Sequence, residues 1–287
     1  MTRRFTWLAW IAASFTYLLI VLGAVVRITG SGMGCGEHWP LCRGQLLPPL
    51  DLPTLIEYGH RLAAGAVSVL VLMVAAYAWW LRRDRGAWRG QPVNAPVPGY
   101  YAPSTGPTVA AYGALGLAAL QVALGAMTVK LDLPPWTVIL HLGTAMLLLA
   151  TLLVATKGPR ATRPTSTGLG VLALAFVTLL FGGLTANLGA AGACHGFPLC
   201  NGQFVPAGGY LQEIHWTHRL LAYTLFGCSL WWASRTRSRG AWSVLALVTL
   251  QVAVAAAMVL LALPRLLQAA HVALGAAVWA DLVLAVL

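Results

Sequence analysis

Four histidines of this 287-residue chain recur at matched spacing. His60 and His218 each stand eighteen residues after a cysteine, Cys42 and Cys200, and each is followed by Arg-Leu, with Arg61 and Arg219 as the arginines. His141 and His271 each stand twenty residues after a glutamine, Gln121 and Gln251. All four fall in apolar runs, where imidazole is costly unless it has a partner or a task. A lone histidine near a helix end is most often an interfacial hydrogen-bonding residue. Two pairs at repeated positions are not explained that way. Two histidines on separate helices of a bundle, at one level, can hold a haem iron from both faces. Ala63, Ala64, Gly65, Gly143 and Gly275 lie beside them and would leave room for a flat macrocycle. No compact cluster has zinc-ligand spacing, and no C-x-x-C-H motif marks covalent haem attachment.

Glu57 lies one turn before His60, on nearly the same helical face. Two readings stand: a proton acceptor beside a reacting group, or a helix-start residue favoured by the dipole. Its counterpart in the repeat is His215, so the two copies differ there. Cys35 with Cys42, and Cys194 with Cys200, lie in two loops on one side of the chain. In an oxidising compartment each pair would form a disulfide. The structural reading is preferred for Cys194–Cys200, and a redox role stays open for Cys35–Cys42. Cys228 reads as a buried small apolar residue; His38 and His195 read as solvated and incidental.

The elements that must position these residues are membrane-spanning helices. The chain is 59% hydrophobic and 9% charged, far from the ~25% charged residues of soluble domains. A net charge of +11 does not indicate nucleic acid here, because the cations sit in short stretches between apolar runs. A bilayer needs about 20 apolar residues per span, and eight spans are predicted: 7–27, 58–81, 108–130, 136–157, 167–187, 215–234, 241–262 and 266–287. Twelve of the eighteen cations border one side, which predicts cytoplasmic termini and outward-facing segments 28–57 and 188–214. Gly90–Thr108 reads as a cytoplasmic linker, and the tight joints Asp132–Pro135 and Leu263–Arg265 are the shortest connections. Pro40–Gln45 returns as Pro198–Gln203 with Leu-Cys and Gly-Gln conserved between the copies. The expected fold is therefore an all-α integral membrane protein: eight transmembrane helices as two tandem, pseudo-twofold-related four-helix bundles, 1–157 and 158–287.

Eight spans in two repeats, E-x-x-H-R at Glu57–Arg61, H-R at His218–Arg219, His141 and His271, and a cysteine pair in each loop resemble bacterial haem A synthase over essentially the whole chain. That resemblance implies oxidation of the C8 methyl group of haem O to the formyl group of haem A, destined for terminal cytochrome oxidases. It implies that His218 and His271 hold haem b as cofactor, and that His60 and His141 line the site for substrate haem O. Glu57 would take part in the oxidation, and Cys35 and Cys42 would be the pair associated with activity. It further implies a cell-membrane location and a partnership with haem O synthase, the protohaem farnesyltransferase. The electron acceptor, a quinone or a thioredoxin-like protein, has no marker in the sequence. Arg61 and Arg219 are candidate partners for haem propionates. A non-catalytic dihaem cytochrome b explains the histidines equally well but neither Glu57 nor the paired cysteines. A haem carrier is a further rival, and a transporter fits less well still.

Overall fold

The computed structural model describes residues 2–87, 106–157 and 164–287. Most of the predicted linker Gly90–Thr108, with Arg89, Arg160 and Arg163, lies outside the described residues. The described residues form eight α-helices: α1 (Arg3–Ile28), α2 (Leu52–Ala87), α3 (Gly106–Lys130), α4 (Pro135–Ala155), α5 (Ser166–Asn187), α6 (Tyr210–Thr236), α7 (Arg239–Leu260) and α8 (Arg265–Val286), with one 3-10 turn at Ala190–Gly192. Seven are long and apolar enough to cross a bilayer. α6 is the exception, and its first three turns carry Glu213, His215, His218 and Arg219. Their polarity lowers its hydropathy although its 27 residues exceed the span length.

Local signals set the helix starts. Thr2, Thr165 and Ser238 cap α1, α5 and α7 by accepting from the backbone N–H three residues on. Asp51 Oδ1 accepts from the Thr54 N–H at 3.1 Å, and this bond with the Thr54 hydroxyl, then the Arg43 charge, holds the Asp51 carboxyl below its usual range. Proline in the first turn suits α2, α3 and α4 because its missing N–H would have no partner there. The joints at Asp132–Leu133 and Ala262–Leu263 turn in left-handed backbone, with φ between 56° and 62°, before Pro134 and Pro264 open the next helix.

Helix contacts divide the molecule into two rings. In the first, α1 packs on α2, α2 on α3, α3 on α4 and α4 on α1; α5 to α8 close the second ring in the same order. The rings stand side by side, joined where α4 meets α5, α1 meets α8, and α4 meets α8. The seam is well filled. Met146, Leu149 and Leu152 of α4 and Leu282 and Val283 of α8 are almost wholly buried. Trp279 donates its indole N–H to the Met146 carbonyl at 2.8 Å and packs on Phe176 at 5.3 Å. Tyr17 donates to the Ala273 carbonyl across the same seam. By contrast α2 and α7 turn Leu72, Trp79, Trp80, Trp242 and Leu250 outward, as helices facing lipid do.

Candidate functional site

Register decides where the histidines fall. His60 is eight residues past the start of α2 and His218 eight past the start of α6; His141 and His271 are each six past the starts of α4 and α8. At 1.5 Å per residue these lie about 12 Å and about 9 Å along their helices. α2 and α4 are diagonal in the first ring, as α6 and α8 are in the second. His60 and His141 are electrostatic neighbours across the first ring, and His218 and His271 across the second.

Glycines seat three of these rings. A Cβ added at Gly23 would stand 3.2 Å from His60 Cε1, one at Gly125 3.2 Å from His141 Cε1, and one at Gly182 3.0 Å from His218 Cε1. Each glycine belongs to the preceding helix, so its bare backbone forms the wall against which the imidazole leans. His271 has Gln251 instead, whose Nε2 lies 3.4 Å from its ring Nε2. Gln121 and Gln251 each donate Nε2–H to the carbonyl of the histidine twenty residues on, at 3.0 Å in both halves. Of the small residues singled out from sequence, Gly143 faces Leu180 of α5 and Gly275 meets Gln251 and Leu179. They serve helix packing, and the glycines that do touch the imidazoles lie on other helices.

The Nδ1 atoms of His60, His141, His218 and His271 are all buried without a hydrogen-bond partner. The Thr178 carbonyl lies near His218 but outside hydrogen-bond geometry with its Nδ1. A buried unpaired polar atom costs about 1–3 kcal/mol, and here it recurs four times at equivalent positions. Such imidazoles suit a metal. Among the described residues no three His, Cys, Asp or Glu side chains converge as a metal site. A bare ion would lack ligands there. A porphyrin brings four nitrogens of its own and asks the protein for two, one from each side. The donor set fits haem iron.

Above each histidine pair lies a disulfide loop clamped by an arginine. In the first, Cys35 is bridged to Cys42, and Glu57 is buried with both oxygens engaged. Its Oε2 accepts from the Cys35 N–H at 2.8 Å, and Oε1 from Arg61 Nε at 3.1 Å and Nη2 at 2.6 Å. Arg61 Nη1 donates to the carbonyls of His38 and Leu41. A carboxylate offers about four lone-pair sites, so one remains beside three N–H donors. In the second loop Cys194 is bridged to Cys200. There Arg219 donates to His215 Nε2 at 3.3 Å and to the carbonyls of Gly196, Leu199 and Cys194, while His215 Nδ1 meets the Ala190 carbonyl at 3.0 Å. Both arginines thus commit four of their five N–H groups: Arg61 gives two to loop carbonyls and two to Glu57, and Arg219 gives three to loop carbonyls and one to His215. One donor on each is left for a carboxylate such as a propionate. The loop turns match in detail: Trp39–Pro40 and Phe197–Pro198 are cis, and Arg43-Gly44 and Asn201-Gly202 are left-handed. Cys228 is unbridged and half-buried on α6, not buried as the sequence suggested.

Two side-by-side helix rings, each with a histidine pair and topped by a disulfide loop, define a multi-pass helical membrane protein. The chain belongs to the COX15-CtaA family, described as cytochrome oxidase assembly protein, whose profile matches residues 6–53 and 51–283. It is 32% identical over 291 residues to the Heme A synthase of Symbiobacterium thermophilum, covering 91% of this chain and 88% of that protein. It is 30% identical over 246 residues to the Heme A synthase of Alkalihalophilus pseudofirmus, covering 79% and 76%. With the Heme A synthase of Shouchella clausii the identity is 33% over 204 residues, covering 66% and 61%.

Proposed function

We propose that this chain is a haem A synthase, an oxidoreductase that converts the C8 methyl group of haem O to the formyl group of haem A for terminal cytochrome oxidases. Its family and its named relatives support this reading. The observation that carries the assignment of roles is an asymmetry: both rings have the histidine pair, but only the first has a carboxylate, Glu57, one turn away. Residues 1–157 accordingly hold the substrate between His60 and His141. Residues 158–287 hold haem b between His218 and His271. Both termini lie in the cytoplasm and the disulfide loops outside the cell membrane, because twelve of the cations flank the opposite ends of the helices.

Bound haem supplies the redox chemistry. The chain's own residues orient the reacting methyl group and handle protons. Imidazoles of α2 and α4, steadied by Gly23 and Gly125, fix the substrate plane in the first ring. Glu57 holds a proton released in the oxidation on its remaining lone pair, and Arg61 keeps that carboxylate at the ring's mouth. The first loop, pinned by Cys35–Cys42 and tied to Glu57 through the Cys35 N–H, limits water above the site. Electrons leave to an acceptor of quinone or thioredoxin-like class, and the farnesyltransferase that makes haem O is the natural supplier.

Chromatography of haems extracted from the purified protein tests the proposal. Expressed alone the protein should carry haem b. With a haem O-producing partner it should carry haem b, haem O, the alcohol intermediate and haem A. Haem b in both conditions at two per chain, with no new species, would leave a dihaem cytochrome instead. The glycine seats give a second test. Gly182→Val puts a branched side chain where a Cβ already crowds His218, so haem b retention should weaken about tenfold, within the 1–3 kcal/mol typical of overpacking. Its electron paramagnetic resonance g-values should shift as well. Gly170→Val, on the same helix with open space around it, should change neither.

A further inference from the structure

The loop clamps of the two halves differ at a position that the chemistry above does not use. Gly65 stands five residues after His60, and Tyr223 stands five residues after His218. Tyr223 donates its hydroxyl to the Pro198 carbonyl at 2.6 Å. Its ring meets Phe197 edge-on at 6.1 Å and Trp216 edge-on at 6.5 Å, a favoured aromatic geometry. This clasp grips the same turn whose Gly196 and Leu199 carbonyls Arg219 holds. The second loop is therefore bolted to the flank of α6 beside His218.

In the first half Gly65 offers neither ring nor hydroxyl to the equivalent Trp39–Pro40 turn. A Cβ placed on Gly65 would meet nothing within 4 Å. Tyr58 does bond the first loop, but at the Leu46 carbonyl, beyond the disulfide turn. The flank of α2 at Gly65 is exposed and bare where α6 carries an aromatic clasp.

We propose that position 65/223 sets how fast each half exchanges its haem: Tyr223 makes the second half a retention site, and Gly65 leaves the first half an unclasped flank past which haem enters and leaves. The inference rests on the assignment of substrate to the first half and cofactor to the second. A substrate must be exchanged in every catalytic cycle, so the loop above it has to lift. A resident cofactor requires the opposite.

Haem transfer from the purified holoprotein to excess apomyoglobin reads the exchange directly. Tyr223→Phe should release haem b about tenfold faster, the factor that a hydrogen bond of about 1.4 kcal/mol supports. Tyr223→Gly should be faster still. Gly65→Tyr should slow uptake of added protohaemin by the first half about tenfold, with the resident haem content unchanged. An unchanged release rate in Tyr223→Gly, or unchanged uptake in Gly65→Tyr, overturns the proposal. His218→Ala measured alongside separates the premise from the inference: if that chain keeps its resident haem, the assignment of haem b to the second half has failed, whatever position 223 does.

Discussion

A Glu57→Gln chain is expected to form haem A about 10²- to 10⁴-fold more slowly than the parent, the range a positioned acid–base group contributes. Glutamine keeps the volume and one acceptor for the Cys35 N–H, so the loop stays closed and the loss reports on the proton. What it removes is the charge that faces Arg61, whose side chain is only 13% exposed. Breaking a buried pair by removing one partner costs about 3–5 kcal/mol, here offset in part because Arg61 retains the His38 and Leu41 carbonyls. Thermal unfolding should therefore show a modest loss, while haem b per chain stays at the parental level. Turnover within tenfold of the parent would remove Glu57 from the chemistry and leave it as a loop anchor.

The second large effect concerns the histidines, which should separate by half. His218→Ala and His271→Ala should each lower haem b per chain about tenfold or more, since each removes a residue that would hold the haem and even residues that merely support metal ligands are worth about 10–100-fold, and turnover should vanish with it. His60→Ala and His141→Ala should keep haem b and its spectrum yet yield no haem A in the presence of haem O. Pyridine haemochrome spectra of the four purified variants decide the matter. Equal loss of haem b from both pairs would refute the division of labour and favour two equivalent haems.

Much of this arrangement is legible in the residues. Apolar runs of span length predict the helices to within a few residues at most ends, because a bilayer leaves few alternatives to helix. The exceptions are α2, which at Leu52–Ala87 runs past the predicted 58–81 at both ends, and α6, which starts earlier than predicted, at Tyr210. Pro53 and Glu57 in α2, and Gln212 and Glu213 in α6, interrupt the apolar runs there, so hydropathy underestimates these helices. The Pro40–Gln45 and Pro198–Gln203 repeats announce the matched loops. What the residues do not reveal is side-chain direction. Gln121 and Gln251 stand out only as markers of repetition, and nothing in their spacing says that their amides hold the histidine carbonyls. Gly23, Gly125 and Gly182 are lost among thirty glycines, since a glycine's value as a wall depends on what leans on it. Arg61 and Arg219 reach up to loop carbonyls, and a helix wheel gives no sign of where a long side chain ends.

The joining of the two rings is itself symmetric. Exchanging the halves carries the α4–α5 contact onto α8–α1 and carries α4–α8 onto itself. That is the pattern of an isologous interface, in which two like subunits present the same patch to each other. A dimer of half-length chains would satisfy every one of these contacts, and the segment between α4 and α5 is its only covalent addition. Identical subunits must mutate together, whereas fused ones are free to diverge. Within one chain the halves need not match, and one carries Glu57 and Gly65 where the other carries His215 and Tyr223.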